Sequence, residues 1–268
     1  MELVTTHTHT CFTNHGEGTV EELVSAAVAA GVSTIAVTEH YPMSAALDPD
    51  RYLSMPAERM GDYLAAIEAA RAAHPEIEVI AGCEMDWLGD DEDRVITAED
   101  LAPFKLILGS VHFVDRWPFD DPAQRGRWDE VGADDIWRRY FEVWCEAVSS
   151  DAPFHVMAHP DLAKKFNFYP SFDPQPLYEQ AAEACAAGRM VEVNTSGSYY
   201  ACKEMFPAPA LLAAFCRAGV PCTVGTDAHV PSNVARDIEK AYRLMYEAGY
   251  RTVTVPTADG DRRTIAIE

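Results

Sequence analysis

Short apolar runs alternate along this chain with longer stretches whose hydrophobic residues recur at three- and four-residue spacing. The first pattern is that of buried strands and the second that of amphipathic helices. Strands are expected at Leu3–His7, Thr34–Thr38, Glu78–Gly82, Leu106–Ser110, Phe154–Ala158, Val191–Asn194 and Cys222–Gly225. Helices are expected between them at Val20–Ala30, Pro56–His74, a short piece at Ala98–Pro103, Ala133–Ser149, Pro174–Ala187, Ala208–Ala218 and Asn233–Ala248. Their ends carry the residues that helix ends need. Thr19 can accept the first free N–H groups, Pro56 suits a first turn, and Gly31, Gly188, Gly219 and Gly249 follow the last turns. A final strand pair, Thr252–Val255 and Arg263–Ile267, is joined through the turn signal Asp259-Gly260.

This βα alternation predicts a parallel barrel or an open parallel sheet in a single domain spanning 1–268, because no Ser/Gly-rich linker interrupts it. Longer insertions fall at Tyr41–Met55, Phe113–Gly132 and Asn194–Pro207. Each follows a strand, which places all three on the face where such barrels build active sites. Trp137, Tyr140, Phe141 and Trp144 form an aromatic stripe on one helix face, expected to pack on the barrel.

Composition narrows the function classes. A hydrophobic fraction of 48% is that of an ordinary globular core, and no apolar run reaches membrane-spanning length. The first residues lack the basic and apolar regions of a signal peptide, so a cytoplasmic location is expected. A net charge of −22 argues against a broad nucleic-acid surface, which needs clustered Lys and Arg. A small anionic substrate in one locally positive pocket remains compatible. The seven cysteines show no C-x-x-C spacing and have apolar flanks, as reduced core thiols do.

The chemistry gathers where strands end. His7 and His9 close the first expected strand, His40 the second, Glu84 the third, His112 the fourth and His159 the fifth; Asp227 and His229 close the seventh, and His15 follows the first. A lone histidine at a strand end is more often a satisfied core or surface residue, and a lone His-x-His is a weak signal. Ligand-type residues at nearly every strand end of one barrel are a different matter. In a strand, His-x-His and Asp-x-His direct both side chains to the same face. Imidazoles and carboxylates suit Zn, Fe or Mn. Nine donors, at three or four per catalytic ion with one shared carboxylate, fit three divalent metals. Three such ions bring about six positive charges against about two from the carboxylates, a site suited to a phosphate monoester.

Seven stretches carry a family resemblance: His7-Thr8-His9-Thr10 with His15-Gly16, Thr38-Glu39-His40, Gly82-Cys83-Glu84, Gly109 to Phe113, His159-Pro160-Asp161-Leu162, Glu192 to Gly197, and Gly225 to His229. Together they resemble the polymerase-and-histidinol-phosphatase (PHP) superfamily, and more closely its histidinol-phosphate phosphatase branch. The resemblance implies an α/β fold, a distorted (β/α)7 TIM-like barrel with a trinuclear centre. By motif, one metal would be held by His7, His9, Glu84 and Asp227, a second by Glu84, His112 and His159, and a third by His15, His40 and His229. It implies hydrolysis of L-histidinol phosphate in histidine biosynthesis; the alternative is a broader phosphoesterase acting on nucleotides, sugar phosphates or nucleic-acid ends. No sequence feature marks an oligomer interface.

The same resemblance brings candidates for the substrate. Lys164 or Lys165 and Lys203 stand where the family places phosphate-binding basic residues, often Arg; a lysine offers a point charge in place of a fork. Asn194 and Ser196 are candidate substrate contacts. Glu84 and Asp227 are the carboxylates expected in catalysis, and Asp161 is a candidate acid for the leaving group. The insertion Phe113–Gly132 holds Asp115, Asp120 and Asp121 with Trp117, Phe119 and Trp128. Carboxylates and aromatic faces there would suit the cationic amine of histidinol. His74, at a helix end, is expected on the surface. His155, of the same parity as His159, is expected beneath the metals.

Overall fold

The computed structural model describes residues 1–89 and 98–268. Seven parallel strands form one sheet: β1 (Leu3–Thr5), β2 (Val32–His40), β3 (Glu78–Asp86), β4 (Leu106–Ser110), β7 (Val156–Met157), β8 (Met190–Asn194) and β9 (Cys222–Gly225), in that spatial order. The two outer strands meet. Thr6 N–H donates to Val224 O at 2.9 Å, Asp227 N–H to His7 O at 2.9 Å and His9 N–H to Ala228 O at 2.8 Å. The threonine pairs Thr5–Thr226 and Thr6–Thr223 lie across the same seam. The sheet is therefore a barrel, and of the two sequence-compatible architectures the closed one is observed.

Helices α1 (Val20–Ala29), α2 (Met60–Ala73), α3 (Ala98–Leu101), α4 (Arg127–Val131), α5 (Ala133–Ser149), α6 (Gln175–Cys185), α7 (Pro209–Arg217) and α8 (Ile238–Ala248) connect the strands. The expected start of α1 is present as a capping box: Glu22 N–H donates to Thr19 Oγ1 and Thr19 N–H to Glu22 Oε2. Parity sorts the barrel. Ala36, Ile80, Leu106, Leu108, Val156, Ala158 and Met190 form the inner core. Their alternates Ile35, Val37, Val79, Ile107, Met157 and Val191 pack outward in the large core that also contains the buried stripe of α5. A C-terminal hairpin, β10 (Thr252–Pro256) with β11 (Arg262–Ala266), covers the N-terminal end of the barrel. Its Ala258 packs on the inner core, and Ala258 N–H bonds Glu78 at the start of β3.

Three local departures from the sequence expectations matter for the site. The insertion after β4 contains a two-stranded ribbon, β5 (Phe113–Val114) with β6 (Trp117–Pro118), which puts Trp117, Phe119 and Trp128 into the core. The expected helix from Asn233 is broken: a 3₁₀ turn at Pro231–Asn233 is followed by Asp237 in the left-handed region, φ 62°, and only then by α8. Asp237 is held there by Tyr199 Oη and Lys240 Nζ, both at 2.7 Å. Finally, His155 does not lie beneath the strand-end donors. Val156 of β7 and Ala158 just after it point inward, and His155 Nδ1 accepts the Ile107 N–H at 3.0 Å, with Arg189 and Arg262 nearby. Among the described residues no helix is long and apolar enough to cross a membrane.

Candidate metal centre

The C-terminal ends of the strands converge on one point, Glu84 at the inward face of β3. Its Oε2 lies 3.2 Å from His7 Nε2, 3.3 Å from His9 Nε2 and 3.0 Å from His40 Nδ1. Its Oε1 lies 2.9 Å from His159 Nε2 and 3.6 Å from His112 Nε2, and also accepts a hydrogen bond from Ser110 Oγ. Asp227 Oδ1 closes the first group at 3.6 Å from His7 Nε2 and 3.4 Å from His9 Nε2. His15 reaches the outer group, its ring centroid 5.1 Å from that of His40 and 4.9 Å from that of His229. All nine sequence-predicted donors are thus brought together. Two of them require unusual backbone: His159 at φ 27° and Asp227 at φ 50°, strain of the kind that accumulates at functional sites.

Metal ions fit these donors. His7 Nε2, His9 Nε2 and one Glu84 oxygen lie 3.0–3.3 Å apart. Tetrahedral ligation at about 2.0–2.1 Å spaces donor atoms by roughly 3.3 Å. Glu84 Oε2, which faces three imidazole nitrogens, is buried without a hydrogen-bond partner, a costly arrangement unless a cation engages it. Compact triplets of donors form at His7/His9/Glu84, at His40/Glu84/His112 and at His9/His40/His229.

Protonation sorts the imidazoles into two kinds. Burial pulls His7 down, but Glu192, Glu84 and Asp227 outweigh it and hold the ring well above its ordinary value. His9 is likewise depressed by burial and raised on balance to about 9 by Asp227 and Glu84. His15 is lowered to about 4 by burial and by neighbouring His40, and burial lowers His229 and His40 too. The inner pair without metal therefore holds protons through neutral pH, while the outer rings present free lone pairs. A metal ion held there would have to displace the inner protons. His112 is also depressed by burial and raised on balance to about 10, chiefly by Asp86 and Asp120, so loading at pH 7 is expected to release roughly two to three protons, with apparent affinity rising as pH climbs towards about 9 to 10. Calorimetry in two buffers of different ionisation enthalpy measures this. Identical heats in both would contradict it.

A supporting set of carboxylates orients the donors, and sequence reasoning missed it. Glu192, fully buried on β8, accepts from His7 Nδ1 at 3.0 Å, from the His159 N–H at 2.8 Å and from Asn194 Nδ2 at 2.8 Å. It fixes the His7 tautomer with Nε2 free. Asp86 does the same for His112 at 2.9 Å. Its signal was available: Glu84-x-Asp86 shares the strand parity that flagged His7-x-His9. Glu39 binds Thr10 and Thr13 and so holds the loop after His9. Asp48 accepts from Tyr52, Leu53 and Ser54, which aims Tyr52 O at His15 Nδ1, 2.9 Å away.

Beside the donors opens a cavity of about 440 Å³. All three insertions contribute to its wall: Tyr52 from the first, Asp120 from the second, Ser196 and Tyr200 from the third. Among the described residues, the Lys and Arg side chains that line it are Lys165 and Arg236. The candidate substrate residues divide accordingly. Ser196 lines the cavity and donates to Asp227 Oδ2 at 3.2 Å. Lys164 does not line it; fully buried, it binds Glu204 at 2.7 Å, Met205 O at 2.8 Å and Asp161 at 3.1 Å. Lys203 is exposed in a turn away from the wall. Asn194 is buried and caps the 3₁₀ turn at Thr195–Tyr199. Asp161 is pushed up to about 7 by burial, but faces Lys164 and the Ala208 N–H and not the cavity. Asp115 pairs with Arg139 outside the cavity, and the aromatic rings proposed with it are core. His74 sits at the end of α2 against Glu21 and Glu76, as expected of a surface residue.

A parallel (β/α)7 barrel with a buried histidine–carboxylate cluster at its C-terminal rim defines a metal-binding barrel of the hydrolase type. A PHP domain profile matches residues 5–196. A Deinococcus radiodurans protein named a probable histidinol-phosphatase is 32% identical over 255 residues, 94% of this chain and 96% of that one. The chain belongs to the PHP domain family. A crystal structure from Listeria monocytogenes shares the fold with TM-score 0.81 at 20% identity, covering 88% of this chain and 99% of the other. The histidinol phosphate phosphatase of Lactococcus lactis, solved with zinc, L-histidinol and phosphate, shares it with TM-score 0.76 at 21% identity, covering 96% and 97%.

Proposed function

We propose that this chain is a metal-dependent phosphatase that hydrolyses L-histidinol phosphate to L-histidinol and phosphate. The observation that carries this reading is the convergence of nine donors around Glu84 beside a cavity lined by Lys165 and Arg236. The relatives support the substrate: one is named for this activity, and another, of the same fold, binds both products and zinc. The donor chemistry suits three divalent ions, Zn, Fe or Mn. They would be held by His7, His9, Glu84 and Asp227; by Glu84, His112 and His159; and by His15, His40 and His229. When bound, such ions supply Lewis acidity toward the phosphoryl oxygens and the attacking water.

The protein's own groups then do the following. Glu192 and Asp86 keep the free nitrogens of His7 and His112 turned inward. Lys165 and Arg236 add positive charge along the cavity wall, where the three phosphoryl oxygens develop charge during displacement. Ser196, whose hydroxyl is held by Asn194 and Asp227, presents its oxygen at the same wall. The hairpin β10–β11 covers the opposite end, and we read the chain as one domain acting in the cytoplasm on a small phosphorylated substrate.

The test is phosphate release by the zinc-replete enzyme on L-histidinol phosphate, AMP, a pentose phosphate and a 5′-phosphorylated oligonucleotide. A kcat/KM at least about 100-fold higher on L-histidinol phosphate is expected, the discrimination available to a site that hydrogen-bonds its substrate's polar groups. Comparable values on all four would replace this reading with a broad phosphoesterase.

A further inference from the structure

Lys165 Nζ lies 2.8 Å from Asp120 Oδ2. The lysine belongs to the loop after β7 and the aspartate to the insertion after β6, so the contact bridges two loops across the cavity wall. Both side chains are largely withdrawn from water, 12% and 15% exposed. Among the described residues, the other carboxylates of the wall have partners of their own. Asp86 holds His112, Asp121 caps the turn at Ala123, and Glu84 and Asp227 face the imidazoles. Arg236 stacks on Tyr199, 3.6 Å from the ring centroid. Lys165, which also lies over Tyr200 at 4.8 Å, is therefore the wall cation held by a wall carboxylate.

A phosphate dianion that binds Lys165 meets Asp120, the carboxylate already paired with it, and competes with it for the same ammonium. Breaking a buried pair from one side strands the other charge, which is strongly unfavourable, and here the stranded carboxylate would sit beside an incoming dianion. A substrate with a cation at its other end removes that difficulty, because both protein charges finish paired. An ester with a neutral or anionic alcohol portion does not.

We propose that substrate binding exchanges the Asp120–Lys165 pair for two intermolecular pairs, Lys165 with the phosphate and Asp120 with an ammonium on the alcohol portion. Asp120 is then a specificity residue that selects phosphate monoesters of amino alcohols and rejects sugar phosphates and nucleotides by leaving a buried charge unmatched. This rests on the phosphatase reading above and adds the chemical class that the cavity admits. It also separates Asp120 from Asp115, which is paired with Arg139 elsewhere.

The experiment compares L-histidinol phosphate with the same ester lacking the amino group, on zinc-replete enzyme at pH 8, where imidazole is neutral and the amine is the one cation. Wild type is expected to favour the amino ester in kcat/KM by about 100-fold, the scale of truncating one partner of a buried charge pair. In Asp120→Asn the ratio should collapse below about 5-fold, with the rate on the amine-free ester rising because Lys165 is released. Equal kcat/KM on the two esters in wild type overturns the exchange while leaving the phosphatase reading intact, and it does so whether or not the variant folds. A variant that slows both esters by one common factor overturns it as well. Hydrolysis of neither ester by wild type removes the phosphatase reading and this one together.

Discussion

Glu84→Gln should lower phosphate release by about 10³-fold or more and leave the protein short of bound zinc. One carboxylate touches three of the proposed metal groups: Oε2 faces His7, His9 and His40, and Oε1 faces His159 and His112. Burial pushes this carboxyl up, but His7 and His40 outweigh it and hold it well below its ordinary value, so it stays ionised and donor-competent. Glutamine keeps the size and loses the charge. Its amide would also turn hydrogens towards imidazole lone pairs that a cation should occupy. Bound metal contributes several kcal/mol to stabilising phosphoryl charge in the transition state, and each 1.4 kcal/mol is about tenfold in rate. The measurements are kcat on L-histidinol phosphate and zinc per chain after gel filtration. Wild-type turnover at wild-type zinc content would exclude metal-assisted hydrolysis at this cluster.

Why the gathering of the nine donors was readable from sequence, and the make-up of the cavity wall was not, follows from the backbone. Strand parity propagates: once His7, His40, Glu84 and His112 are placed at strand ends, period two sends them inward, and the inner core of Ala36, Ile80, Leu106 and Leu108 continues the same faces downward. Parity fails where the chain leaves the strand. At Asp161 the backbone turns left-handed, φ 61°, and the next residues form a 3₁₀ turn, Leu162–Lys164. Adjacent lysines then part: Lys164 goes inward to Asp161 and Glu204, Lys165 outward to Asp120 and the cavity. No periodicity distinguishes them beforehand. His155 was misplaced by the same assumption, since φ 27° at His159 breaks the alternation that linked the two. Arg236 was hidden for a related reason. A continuous helix from Asn233 was expected, whereas the break at Asp237 puts Arg236 on the cavity wall and over Tyr199.

The carboxylates that orient the donors were legible in type but not in role, and Glu192 shows the consequence most sharply through its neighbour Gly225. Gly225 ends β9 and pairs in register with Asn194. A Cβ there would lie 2.2 Å from Glu192 Oε2 and 2.6 Å from His7 Cβ. Neither neighbour can yield cheaply. Glu192 is fixed by His7, the His159 N–H and Asn194, and His7 is part of the barrel seam. Gly225→Ala therefore adds an overpacking penalty of about 1–3 kcal/mol to the loss of a charged hydrogen bond, about 1.5–3 kcal/mol. Together these are on the order of 4 kcal/mol, and at about 2–4 °C per kcal/mol for a chain of this size Tm should fall by roughly 10 °C. Function should fall separately. With Glu192 displaced, the His7 tautomer is no longer fixed, and loss of such an orienting partner weakens metal affinity or activity by about 10–100-fold. Thermal unfolding in EDTA isolates the steric part, and zinc titration of the folded variant at 20 °C isolates the orienting part. A Tm within a degree of wild type, with zinc affinity unchanged, would show that the approach of β9 to Glu192 is loose and that Glu192 does not set the geometry of His7.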